Sequence, residues 1–323
     1  MIKTRLTDRF ELEHPIVSAP MAFAAGGRLA AAVTNAGALG LIGGGYGDTD
    51  WLEQAFSDAG NTRVGCGLIT WKLAEQPEVL QVVLDRDPAA MFLSFGDPMP
   101  FAGQIAEAGI PLICQVQTLR DARRAAEAGA AVIVAQGSEA GGHGERRATL
   151  TLVPEVADWL AGNAPEVLLL AAGGIADGRG LAAALMLGAD GVLVGSRLWA
   201  SAEADVSQAM VAAAISATGD DTIRSTVMDR ARLLNWPDRY TARVLQNAFT
   251  DRWHNDLAGL LAQAETESAK WKAGWAEGDP ERANTFVGEA AGLIHDRPSA
   301  AEIIARMSHE ADALLRGASG RLG

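Results

Sequence analysis

The residues best suited to chemistry surround one histidine. Among 323 residues there are five histidines, and His143 alone stands in a glycine-rich run, Gln136-Gly137-Ser138-Glu139-Ala140-Gly141-Gly142-His143-Gly144. An imidazole exchanges protons near neutral pH, which suits it to general acid or base work. Two further glycine clusters follow: Ala172-Gly173-Gly174-Ile175-Ala176-Asp177-Gly178-Arg179-Gly180, then Val194-Gly195-Ser196-Arg197. Glycine turns let the backbone approach an anion, and N–H groups at a helix start complement its charge. Each cluster taken alone also reads as a tight strand-to-helix turn, and His143 alone as a surface loop residue. Glu139, Glu145, Arg146 and Arg147 read as solvated loop charges rather than catalysts. Cys66 and Cys114 lie in apolar runs without a Cys-x-x-Cys pair, so they read as buried thiols. A disulfide framework and a thiolate metal site are not expected.

The elements that must position these clusters repeat one pattern: an apolar run, a turn, an Ala-rich amphipathic stretch, a glycine, and another apolar run. Strands are expected at 15–20, 39–43, 64–70, 90–95, 111–116, 131–136, 167–172 and 189–194. The helices between and after them are expected at 27–35, 51–59, 77–84, 100–108, 118–128, 153–160, 179–187 and 202–217. Mostly continuous apolar strands alternating with helices indicate a parallel sheet buried on both faces. Eight units is the count that closes a (β/α)8 barrel, and function then sits at the C-terminal ends of the strands. The three glycine clusters follow the sixth, seventh and eighth strands, and loops after strands seven and eight are a common phosphate site in such barrels. An open doubly wound sheet is the alternative fold. It typically has fewer strands and a glycine-rich turn after the first one, whereas the densest glycine signals here follow the second, sixth, seventh and eighth strands.

The rhythm changes near residue 218. The expected organisation is a barrel over 1–218, a helical extension over 219–299 and a final helix within 300–323 that docks back on the barrel. Strand-like runs are not expected in the extension, which carries Trp236, Trp253, Trp271 and Trp275. In the last helix Ile303, Ile304, Met307, Ala311 and Leu314 form one apolar stripe, and 317–323 is expected to fray. Apolar side chains of the extension are either its own core or the face of a homodimer. The net charge of −13 disfavours binding to nucleic acid or an anionic membrane. No apolar run approaches a membrane span, and residues 1–13 contain no signal-like apolar stretch, so a cytoplasmic location is expected.

Together these segments resemble the nitronate monooxygenase family, formerly the 2-nitropropane dioxygenases. They also look like the related FMN-dependent enoyl-acyl-carrier-protein reductases and NADH:quinone reductases. The opening Pro15-Ile16-Val17-Ser18-Ala19-Pro20-Met21 and the stretch Ala31-Ala32-Val33-Thr34-Asn35-Ala36-Gly37-Ala38-Leu39-Gly40 match the same group. The resemblance spans most of the barrel and implies FMN as cofactor. It implies that Ala19, Pro20 and Met21 line the flavin ring, and that Gln136 and Gly141 contact the cofactor. It further implies that Gly173, Gly174, Gly195 and Ser196 hold the phosphate, and that His143 faces the substrate. The chain departs from the family in having Gly67 where relatives often carry Asn, Ser196 where Thr is usual, and Gln115 where some relatives place Lys. The activity implied is oxidation of an alkyl nitronate by O2 to a carbonyl compound and nitrite. Two alternatives fit the same loops: an FMN-dependent NAD(P)H:quinone or enoyl reductase, and a flavin-free isomerase or lyase acting on a phosphorylated substrate.

Overall fold

A computed structural model describes residues 2–321. Nine strands precede the extension: β1 Ile16–Ser18, β2 Leu41–Gly45, β3 Gly65–Ile69, β4 Met91–Ser94, β5 Leu112–Val116, β6 Val132–Gln136, β7 Gly142–Gly144, β8 Leu168–Ala172 and β9 Gly191–Val194. All but β7 form one parallel sheet in the order β1-β9-β8-β6-β5-β4-β3-β2. The two ends of that sheet meet. Val17 bridges Leu39, the Ser18 N–H donates to the Leu39 carbonyl at 2.9 Å, and the Leu41 N–H donates to Ser18 Oγ at 2.8 Å. The result is an eight-stranded barrel with helices outside, as the repeat predicts.

Side chains alternate along each strand. Val17, Leu41, Phe92, Ile113, Val134, Leu170 and Leu193 fill the interior as one cluster. Their neighbours Ile42, Cys66, Met91, Leu93, Cys114, Ile133 and Val192 face the helices as another. Both cysteines are therefore buried in apolar surroundings, and burial pushes each thiol up to about 12.

Three expectations about elements change. The helix expected at 202–217 is instead a short turn, Ser196–Trp199, and a helix Gln208–Ser216. Ser207 caps the latter by accepting from the Met210 N–H, while the Asp205 N–H is tied to the Ala24 carbonyl at the barrel mouth. Second, the extension is not purely helical. It contains β10 Thr222–Ser225 and β11 Thr241–Leu245, which pair antiparallel with each other, and β11 pairs with β7. In β11 Ala242 and Val244 are buried while Thr241 and Arg243 are partly exposed, a period of two too short to stand out from its polar context. Third, the tail does not simply fray from 317. The last helix runs Ala300–Gly317 and passes into a 3-10 turn, Ala318–Arg321, whereas 322 and 323 lie outside the described residues. That helix buries Ile303, Ile304, Met307 and Ala311 and packs mainly on helix Gly178–Met186, with a second contact to Gly27–Asn35. No helix of the described residues is long and apolar enough to cross a membrane.

Candidate active site

A cavity of about 320 Å³ opens at the C-terminal ends of the barrel strands. Ala19, Pro20, Met21, Gln136, Gly141, His143, Gly173, Gly174, Gly195 and Ser196 all lie on its wall. The sequence had separated these ten by as much as 177 positions, 196 − 19. Gly67 also lines the cavity, and a Cβ there would sit 2.4 Å from Pro20 Cβ. A side chain at this position has no room beside Pro20.

The two glycine turns differ in detail. Gly173 and Gly174 adopt φ of +102° and +74°, a left-handed path open to glycine. The helix that follows cannot offer its first amides to a ligand. Asp177 already accepts from the Arg179 and Gly180 N–H groups at 2.9 and 3.2 Å. After β9 the turn Gly195–Ser196 leads directly into Ser196–Trp199, and a Cβ at Gly195 would meet nothing closer than 3.7 Å. The extension closes this end, since the Gly288 N–H donates to Ser196 Oγ at 2.9 Å. Gly141 and Gly288 allow the two segments to touch backbone to backbone: a Cβ on Gly288 would lie 2.4 Å from the Glu139 carbonyl oxygen. The carbonyl end of Gln136 accepts from Gln117 at 2.8 Å and Gln115 at 3.2 Å, which leaves its NH2 as the end available to a ligand.

His143 does not sit in a loose loop. It is the central residue of β7, paired with Ala242, and only 9% exposed. Its Nε2 lies 2.9 Å from Oδ2 of Asp229, a carboxylate 1% exposed on the short helix Val227–Ala231. A carboxylate only accepts, so Nε2 carries the proton and Nδ1 keeps its lone pair. The imidazole stacks on Trp236 with centroids 3.4 Å apart and planes 6° from parallel. Trp236 is fixed in turn by its Nε1–H to the Tyr46 hydroxyl at 3.2 Å and by Phe95 at 5.1 Å. Phe95 itself has φ +63°, a strained conformation for a non-glycine residue of the kind that collects at functional sites. Burial lowers the His143 pKa from the ordinary imidazole value, and the Asp229 hydrogen bond and charge oppose that shift without cancelling it. The arrangement is a neutral, oriented imidazole at the wall of an apolar cavity, fit to accept a proton or a hydrogen bond.

Two arginines hold the loop that leads to His143. Arg224 donates to the carbonyls of Ser138 at 3.1 Å and Thr241 at 2.7 Å, and Arg243 donates to the same Ser138 carbonyl at 3.1 Å and pairs with Glu289 at 2.6 Å. Burial, with Arg243 beside it, pushes Arg224 down to about 10. The loop charges are not all merely solvated, as the sequence suggested. Glu139 accepts from the Thr149 N–H and hydroxyl at 3.0 and 2.9 Å, Glu145 pairs with Arg239 and Arg147 with Glu155. None of the three points to catalysis.

Sequence reasoning missed Asp229, Arg232 and Trp236, all in the extension. Only Trp236 gave a signal there, as one of several tryptophans, and nothing local linked it to His143.

Known proteins can be set beside this geometry. The profile of the nitronate monooxygenase family matches residues 3–62 and 69–310. A nitronate monooxygenase of Neurospora crassa is 35% identical, over 92% of this chain and 88% of its own length. A Mycobacterium tuberculosis protein named (3aS,4S,5R,7aS)-5-hydroxy-7a-methyl-1-oxo-octahydro-1H-indene-4-carboxyl-CoA dehydrogenase is 29% identical, over 98% of each chain. Among solved structures, FabK from Thermotoga maritima superposes with a TM-score of 0.85 at 32% identity, covering 99% of this chain and 100% of its own. With the family profile covering nearly the whole barrel and extension, this chain belongs to the nitronate monooxygenase family of enzymes.

Proposed function

We propose that this enzyme binds FMN and oxidises alkyl nitronates with O2 to a carbonyl compound and nitrite, and that it also accepts neutral nitroalkanes. The observation that carries the proposal is His143, hydrogen-bonded to buried Asp229 and stacked on Trp236, in the wall of a cavity that two glycine turns also line. The family and the name of the Neurospora relative support it.

The residues present fit FMN. Gly173 and Gly174 pack their Cα faces against Gly137, Thr149 and Glu139 and follow a left-handed path, and a Cβ at Gly195 would meet nothing closer than 3.7 Å, so bare backbone lines the cavity where a phosphate would lie. The Ser196 hydroxyl, accepting from Gly288, keeps its own proton for a phosphate oxygen. Ala19, Pro20 and Met21 would support the ring system, and Gln136 would offer its NH2 to a ring carbonyl or nitrogen. FMN, when bound, supplies the electron acceptor and the route to O2. The chain's part is the rest. Trp236, Phe95 and Tyr46 exclude water and hold the imidazole. Asp229 fixes the tautomer. Nδ1 of His143 removes the α-proton of a neutral nitroalkane, or, for a substrate already deprotonated, orients the nitronate. The two buried thiols suit a reducing cytoplasm.

The test is an anaerobic spectral titration of the purified holoenzyme, then turnover. Ethyl nitronate should change the flavin absorbance, whereas NADH and NADPH should not. Bleaching by a nicotinamide alone would move the assignment to the reductase reading, and a colourless protein that cannot be loaded with FMN would overturn both. In the same assay His143→Ala should retain FMN and lower nitroalkane turnover by at least ~10²-fold, the usual scale for a general base.

A further inference from the structure

One buried cation in the cavity has no task in the scheme above. Arg232 lines the same cavity as His143, and its side chain is 11% exposed. Three aromatic rings surround it: its guanidinium carbon lies 5.2 Å from the Tyr46 ring centre, 5.4 Å from Trp271 and 5.7 Å from Phe286. Such rings stabilise a desolvated cation. Its carboxylate neighbour is Asp229, at 3.8 Å from NH1 to Oδ1, longer than a hydrogen bond. That oxygen of Asp229 is buried and has no hydrogen-bond partner, while the other oxygen is committed to His143. An arginine present only to neutralise Asp229 would close to a short, two-pronged contact. Instead the rings stand about the guanidinium, and its five in-plane N–H donors exceed what Asp229 and the Tyr46 hydroxyl can take.

We propose that Arg232 is the anion anchor of the cavity, binding a planar group with two oxygens and one negative charge, and so selecting anionic over neutral ligands. A carboxylate and a nitronate share that shape and charge, and a guanidinium meets either with two parallel hydrogen bonds. Asp229 touches both Arg232 and His143, so an anion held by Arg232 lies within one residue's reach of the imidazole. Naming the nitronate as the natural ligand rests on the function proposed above; the anion site itself does not.

The experiment uses the FMN-loaded enzyme with butyrate, a carboxylate of nitronate shape that cannot be oxidised in its place, and butyramide, its neutral counterpart. Binding is read from tryptophan fluorescence, since Trp271 belongs to the cage. The wild type should bind butyrate about 10- to 100-fold more tightly than butyramide, the scale of a charge-assisted pair in a dry site. Arg232→Met should remove that preference and leave butyramide binding unchanged, while Arg232→Lys should restore part of it. In turnover, Arg232→Met should raise KM for ethyl nitronate more than it lowers kcat. Equal affinity of the wild type for the two probes would overturn the proposal without need of any variant. So would an Arg232→Met protein that still prefers butyrate. A butyrate preference that depends on Arg232, in an enzyme that leaves ethyl nitronate untouched, would uphold the anion site and overturn the oxidation reading alone.

Discussion

Asp229 sets which nitrogen of His143 can act. With the carboxylate accepting from Nε2, Nδ1 is the basic atom; an amide in its place can donate to Nε2 and send the proton to the other nitrogen. Asp229→Asn should therefore keep FMN and lower kcat for a neutral nitroalkane by roughly 10²–10⁴-fold, the range in which loss of a base or of its tautomer falls. The pH profile separates this from simple misfolding. Burial already lowers the His143 pKa, so the neutral base survives below the pH at which an exposed imidazole would protonate, and the acid limb of kcat/KM should lie below 6.5. Asp229 is the group that raises that pKa, so its neutral replacement should move the limb to still lower pH. A limb that moves upward, or does not move, would remove Asp229 from this role. At this scale the sequence revealed half of the pair. His143 was legible because glycines flank it, whereas Asp229 lies 86 positions away in a helix of five residues and resembles any other surface acid.

The element that connects the two is the small antiparallel sheet β10-β11-β7, and here sequence reading fell short for a physical reason. The barrel strands are long apolar runs because they are buried on both faces, and that pattern is visible from composition alone. β7 is Gly-His-Gly, with no strand propensity of its own; it exists because β11 pairs with it and because Arg224 and Arg243 bond the Ser138 carbonyl. A long-range partner makes the element, so no local window can show it. The consequence is testable. Arg243→Ala removes both the Ser138 contact and the ion pair to Glu289, an acid 43% exposed. Solvent screening limits the cost of such a pair, so global stability should fall by about 1–2 kcal/mol. Activity should fall further than that loss explains, because the His143 strand loses its support. Faster hydrogen exchange confined to 138–144 in the variant would identify the loop as the cause, and an exchange pattern like the wild type would discard the clamp.

On the scale of the whole molecule, the chain's last helix is tied to the Gly195–Ser196 end of the cavity through Asp296. Arg197, 5% exposed and immediately after Ser196, donates to the Asp296 backbone carbonyl at 2.9 Å and pairs with its carboxylate at 3.0 Å. Arg306, on the last helix, reaches the other carboxylate oxygen at 2.8 Å. A second tie runs from Glu310, which accepts from the Gly178 N–H at 2.8 Å, to the helix that follows the Gly173–Gly174 turn. The apolar stripe of this helix was readable in advance because its period is helical and its face continuous; the polar ties into the barrel were not, since Arg197–Asp296 and Gly178–Glu310 join residues about 100 or more positions apart. Asp296→Ala leaves Arg197 buried with a backbone carbonyl as its hydrogen-bond partner. Because Asp296 is 47% exposed, the lost pair is partly screened, and the cost should be about 1–2 kcal/mol, or a fall in Tm of roughly 2–4 °C. Arg306 and Arg197 also hold the Asp296 carboxyl below the usual aspartate range, so this contribution is present above the unfolded aspartate pKa and disappears as pH falls through the lower folded value. The variant and wild type should therefore converge in stability in acid. If Arg197 positions the Gly195–Ser196 turn, the variant will also release FMN faster on dilution. A lowered Tm with unchanged FMN release would confine Asp296 to docking the last helix.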